Sequence, residues 1–84
     1  MNFTIEWHPQ AYRVLRRLPQ PTIRRILLKL DVVAKEPFRY LERYEGKDVH
    51  KLRIGSYRLL IDTDIQNMLL LIQVLDKRGR VYKR

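Results

Sequence analysis

The sequence predicts an α+β fold: an N-terminal strand, then a helical hairpin packed on one face of a mostly antiparallel sheet. Three observations lead there. Apolar residues recur at helical spacing between Ala11 and Ala34, they alternate with period two from Val49 onward, and a short alternating segment precedes the first proline. At 84 residues and 45% hydrophobic, with no repeat or linker, the chain reads as one domain spanning residues 1–84.

Each element has its own signal. Phe3-Thr4-Ile5-Glu6-Trp7 alternates apolar and polar side chains among β-formers, a short strand with Trp7 in the core. Pro9 suits the opening of a helix, and His8 before it is a turn residue. Ala11, Val14, Leu15 and Leu18 then share one helical face until Pro19 stops it. Pro21 opens a second helix, whose Ile23, Ile26, Leu27, Leu30, Val33 and Ala34 keep the spacing until Pro37 ends it. The tight connection through Pro19 makes the two a helical hairpin. Arg13, Arg16, Arg17, Arg24, Arg25 and Lys29 fall on its outer faces.

Val49 to Ile54 and Tyr57 to Asp62 alternate on either side of Gly55-Ser56, the signature of a hairpin with a type II′ turn. That turn sets Ile54 opposite Tyr57, Arg53 opposite Arg58 and Leu52 opposite Leu59. Leu52, Ile54, Tyr57, Leu59 and Ile61 share the face beneath the helices, and Lys51, Arg53 and Arg58 share the other. Asp64 to Asn67 is a second turn. Met68 to Leu75 is nearly continuous in apolar residues, an internal strand covered on both faces. Lys77-Arg78-Gly79-Arg80-Val81-Tyr82-Lys83-Arg84 forms a basic tail with room for a short final strand.

The charge narrows the function. Eighteen Lys and Arg against nine Asp and Glu leave +9, divided between both halves of the chain, so the basicity belongs to the fold's surface. Such an excess points to a polyanion, nucleic acid before an anionic membrane. The absence of cysteine excludes disulfides, thiolate zinc sites and a cysteine nucleophile. Two histidines far apart in sequence argue against a histidine-based metal site. No signal peptide is visible in MNFTIEWHPQ, and the longest apolar run, Met68 to Ile72, is far short of a membrane span, so the expectation is a cytoplasmic protein.

Two arginines facing each other across a hairpin repel unless an anion lies between or above them. A solvated basic face that only keeps a small protein soluble explains Arg53 and Arg58 taken alone. A second cluster, Lys77, Arg78 and Arg80 with Tyr82, follows the internal strand and emerges toward the same face. Guanidinium and ammonium groups beside a phenol suit a phosphodiester.

The element order, the Lys51-Leu52-Arg53-Ile54-Gly55-Ser56-Tyr57-Arg58-Leu59 segment and the late Lys77-Arg78-Gly79-Arg80-Val81-Tyr82 resemble the RelE/ParE toxin superfamily, in particular its RelE branch. The resemblance implies a RelE-like fold and the toxin of a type II toxin–antitoxin system. That toxin is a ribosome-dependent endoribonuclease, an mRNA interferase that cuts message in the A site and inhibits translation. It uses no metal and no cofactor: the substrate's 2′-OH attacks the adjacent phosphate.

The resemblance also implies roles. Arg58 and Arg78, or Arg80 in place of Arg78, would hold the scissile phosphate and its transition-state charge. Tyr82 would be the general base; a phenol titrates near about 10, and neighbouring cations favour its ionised form. Lys51 and Arg53 would bind the backbone or assist the leaving oxygen, with Lys77 and Arg80 as further RNA contacts. The outer helical cations would meet ribosomal RNA. Implied partners are a cognate antitoxin, the ribosome and mRNA, and operator DNA for the toxin–antitoxin assembly, with no membrane.

His50 alternates with Leu52 onto the covered face or its margin, which suits a hydrogen-bonded structural histidine; reaching the site, it would replace Tyr82 as base. Two other functions fit part of the pattern. One is a ParE-like inhibitor of DNA gyrase, a branch that generally lacks the full basic and tyrosine set. The other is an inactive relative that binds RNA or antitoxin only.

Overall fold

The computed structural model describes residues 2–46 and 48–77. Strand β1 (Thr4–Trp7) leads into helix α1 (Pro9–Arg16). His8 caps that helix, its ring nitrogen accepting from the Gln10 amide at 3.2 Å. Helix α2 (Gln20–Lys35) follows Pro19 and carries Pro21 in its first turn, where a missing N–H costs nothing.

Pro37 does more than end α2. A proline disfavours helical backbone in the residue before it, and Glu36 leaves the helical region at φ −146°, ψ 74°. The chain then restarts as a one-turn helix α3 (Pro37–Tyr40), an element the apolar spacing does not reveal.

A second departure follows. Strand β2 (Glu42–Glu45) adds a fifth strand to the expected sheet, antiparallel to β3 (Val49–Ile54). Glu42, Arg43 and Glu45 give β2 no apolar alternation, because an edge strand pairs on one side only and tolerates charge. Strands β4 (Tyr57–Asp64) and β5 (Leu69–Lys77) complete the order β1-β5-β4-β3-β2. Among the described residues only the β1–β5 pair is parallel.

The β3–β4 register is the expected one, with Ile54 opposite Tyr57, Arg53 opposite Arg58 and Leu52 opposite Leu59. Gly55 makes the turn at φ +60°. One backbone irregularity lies in the next pair: Leu60 pairs with Val74 but Ile61 with Ile72, leaving Gln73 as an extra residue in β5. The bulge shifts the inward set from Leu70 and Ile72 to Leu75, all at most 2% exposed. It explains how an almost unbroken apolar run serves one buried face. The other face is not fully covered as expected: Leu69 and Leu71 are half-buried and Val74 is exposed.

Ala11 and Leu15 of α1 and Ile26, Leu30 and Val33 of α2 pack with Leu52, Ile54, Leu59, Ile61 and the inward side of β5 into one core. Trp7 packs against that core, edge-on to Tyr12 with centroids 6.4 Å apart. No described helix is long and apolar enough to cross a membrane.

Candidate functional site

Strand β2 is shorter than β3. Its register opens with Glu42 opposite Lys51, so β3 runs on through Leu52 to Ile54 beyond the end of its partner. A cavity of about 210 Å³ lies at this edge. Lys51, Arg53 and Arg58 line it from the sheet, with Lys29 from α2, Tyr40 from α3 and Glu42 from β2.

The structure thus brings together three of the expected site residues. They differ in environment. Arg53 is exposed, Lys51 is half-buried, and Arg58 is buried at 3% exposure. The burial of Arg58 does not fit the alternative of a merely solvated basic face. Arg58 stands on β4, the middle strand, with Arg53 opposite on β3 and Asp76 opposite on β5. The pairing therefore supplies a carboxylate directly across from Arg58, on the side away from Arg53. Asp76 also accepts from the Lys77 amide at 2.8 Å.

Lys51 meets Glu42 at 3.6 Å, so the cavity contains a carboxylate of its own. Lys29 corrects an expectation. The helical spacing places it on the outer surface, yet it is half-buried and turned into the cavity, its ammonium 4.7 Å from the centroid of the Tyr40 ring. Arg13, Arg16, Arg17, Arg24 and Arg25 are exposed as expected. Arg25 reaches the hairpin turn, where its guanidinium lies 3.0 Å from the point a side chain on Gly55 would occupy.

His50 is not at this cavity. It faces Ile61 on the covered side of β3, with its ring edge-on to Phe38 at 5.6 Å. Its Nδ1 lies 3.3 Å from the Asp48 carbonyl, a contact that requires the proton on Nδ1 because a carbonyl oxygen only accepts. The same oxygen accepts from the Thr63 amide at 2.9 Å and the Thr63 hydroxyl at 3.2 Å. His50 is thus buried on the covered face, away from the cavity.

Lys77 ends β5 and is exposed. Arg78, Arg80, Tyr82 and the expected final strand lie outside the described residues. Tyr40 and Glu42 were not legible as site residues. Tyr40 sits in a helical turn without periodicity, and Glu42 approaches Lys51 only through β2. No group of three or more potential metal-ligating side chains occurs among the described residues.

The five-stranded sheet under α1 and α2, with a cationic cavity at the edge of its central hairpin, defines a small basic α+β protein. No protein-family model matches the sequence. Against the provisionally named toxin RelE1 of Methanocaldococcus jannaschii the chain is 27% identical, with 99% of this chain and 98% of that protein covered. The archaeal RelE–RelB complex from Pyrococcus horikoshii contains a chain superposing at a TM-score of 0.83 with 28% identity, over 95% of this chain and 99% of that one. The isolated RelE toxin of E. coli shares the fold at a TM-score of 0.78 and 18% identity, over 89% and 83%. In sequence and in fold the chain is similar to RelE toxins.

Proposed function

We propose that this protein is the toxin of a type II toxin–antitoxin system, a cytoplasmic endoribonuclease that cuts mRNA in the ribosomal A site. The observation that carries the reading is the convergence of Lys51, Arg53 and Arg58 on one cavity in a chain of RelE-like fold. A site made of cations from the sheet suits a phosphodiester, whose charge increases toward the transition state.

In this reading residues 1–84 act as one domain, and Arg58, with Arg78 or Arg80 from the tail, holds the scissile phosphate. Tyr82 accepts the proton of the ribose 2′-OH, whose oxygen attacks the adjacent phosphorus. The 5′-oxygen leaves, with Lys51 or Arg53 assisting, to give a cyclic phosphate and a free 5′-OH. The chain's own residues supply each of these steps without a metal.

An antitoxin partner is part of the proposal. The Pyrococcus horikoshii relative was crystallised as a RelE–RelB complex, and a Mycobacterium tuberculosis relative, at 23% identity and a TM-score of 0.79, as the toxin–antitoxin complex RelBE2. An acidic partner segment would complement +9, and the pair would assemble on operator DNA.

The test is a defined mRNA in a reconstituted translation reaction, with 3′ ends mapped with and without the protein. Cuts within the A-site codon support the reading. A folded protein that leaves the message intact but inhibits DNA supercoiling would place it with the gyrase inhibitors instead.

A further inference from the structure

We propose that Lys29, braced on the ring of Tyr40, forms a second phosphate-binding position at this cavity, taking the RNA phosphate next to the one held by Lys51, Arg53 and Arg58. The inference rests on the RNA-cleaving reading and extends it from the sheet to the helical wall.

Lys29 departs from the rest of its helix. Arg24 and Arg25, on the same element, are exposed, whereas Lys29 is half-buried and lines the cavity. A lysine with a purely structural role at such a position commonly faces a carboxylate. The two cations at this site differ in that respect. Lys51 is paired with Glu42 at 3.6 Å, while the Lys29 ammonium makes no ion pair among the described residues and lies 4.7 Å from the Tyr40 ring centroid.

That difference has a chemical consequence. An aromatic face attracts a cation through its quadrupole but carries no net charge. Tyr40 therefore orients the ammonium without neutralising it. The full positive charge stays available to an anion in the cavity, and the side chain is already partly ordered before one arrives. Lys29 and Tyr40 stand on helical elements, whereas Lys51, Arg53 and Arg58 stand on strands. A single-stranded backbone passing between the two walls presents successive phosphates to each in turn. Lys29 is then a phosphate contact, and Tyr40 is a positioning residue that acts through it.

Salt dependence tests this assignment. For single strands, each phosphate neutralised contributes about 0.7 to the slope of log K against log salt. The probe is a short single-stranded oligonucleotide with 2′-O-methyl riboses, which cannot be cut. Binding is measured over a range of salt for wild type, Lys29→Met, Lys29→Arg, Tyr40→Phe, Tyr40→Leu and Arg53→Met, each checked by its melting transition.

The proposal expects Lys29→Met to lower the slope by about 0.7. Lys29→Arg and Tyr40→Phe, which keep the charge and the ring, retain the wild-type slope, and Tyr40→Leu weakens binding. If Arg53→Met lowers the slope but Lys29→Met does not, the second position is overturned while the RNA-binding reading stands. If neither lowers it, the cavity is not the RNA site and both readings fall. Should Tyr40→Leu not fold, Lys29→Met against Lys29→Arg decides the matter alone.

Discussion

Arg53 and Arg58 face each other across the β3–β4 ladder, and only one of them meets solvent: Arg53 is exposed while Arg58 is 3% exposed. Directly opposed like charges are destabilising, so the hairpin retains a repulsive pair beside its turn. Asp76 on the far side of Arg58 offsets the cost on β4. The exposed Arg53 keeps its charge for a ligand.

Arg58→Met keeps the length of the side chain and removes its charge. It is expected to reduce message cleavage about 100- to 1000-fold, the range for loss of one transition-state donor. The hydrophobic core beneath the helices is untouched, so far-UV circular dichroism should match wild type. Cleavage at the wild-type rate would remove Arg58 from the chemistry.

Glu42→Gln removes the carboxylate that sits 3.6 Å from Lys51. Affinity for a single-stranded oligonucleotide should rise by up to about fivefold, matching roughly 1 kcal/mol between unit charges 4 Å apart in water. Direct titration at fixed salt checks it, and weaker binding would assign Glu42 a different role.

Gly55→Ala imposes two penalties. The backbone at φ +60° is one that L side chains avoid, and the added Cβ would meet the Arg25 guanidinium at 3.0 Å. A loss of about 1–2 kcal/mol is expected in denaturant unfolding, from the backbone alone. Adding Arg25→Ala relieves the contact and leaves that backbone cost in place.

His50→Ala is expected to cost about 1–3 kcal/mol, through the cavity left beside Phe38 and the loss of the ring's hydrogen bond to the Asp48 carbonyl. The pH profile of cleavage should not change, because the ring faces Phe38 on the opposite side of β3 from the arginines. A shifted profile would make His50 the base after all.

Asp64 offers a pH test of the β4–β5 turn. The Asn67 side-chain amide donates to its carboxylate at 2.8 Å and the Asn67 backbone N–H at 3.2 Å, and these bonds hold its pKa below the ordinary aspartate value. A lowered native pKa means the contribution to stability is full above the unfolded value. It is lost as pH falls through the native one. Carboxylate NMR titration should show the low midpoint, and Asn67→Ala should return it toward the usual range.

Much of this architecture is legible in the residues. Gly55-Ser56 between two alternating segments is enough to pair Arg53 with Arg58, because a two-residue turn leaves one register. The core is legible for the same reason, since periods of 3.6 and 2 assign faces. What periodicity does not convey is what covers a face. Arg58 and Lys29 read as solvated from their positions in the pattern, and the fold encloses both. Strand β2 escapes notice because an edge strand needs no apolar side. Glu42 and Tyr40, which depend on β2 and α3 for their approach to the cavity, escape with it.

The central claim is that the cavity at the β3 edge is where message is held and cut. The most direct measurement compares Lys51→Met/Arg53→Met with wild type in the ribosome-programmed mapping reaction, beside Lys35→Met as a control at the exposed C-terminal end of α2. Loss of A-site cuts in the double variant, with wild-type cutting in the control and unchanged melting in both, is the predicted result. Full cutting by the double variant would contradict the claim.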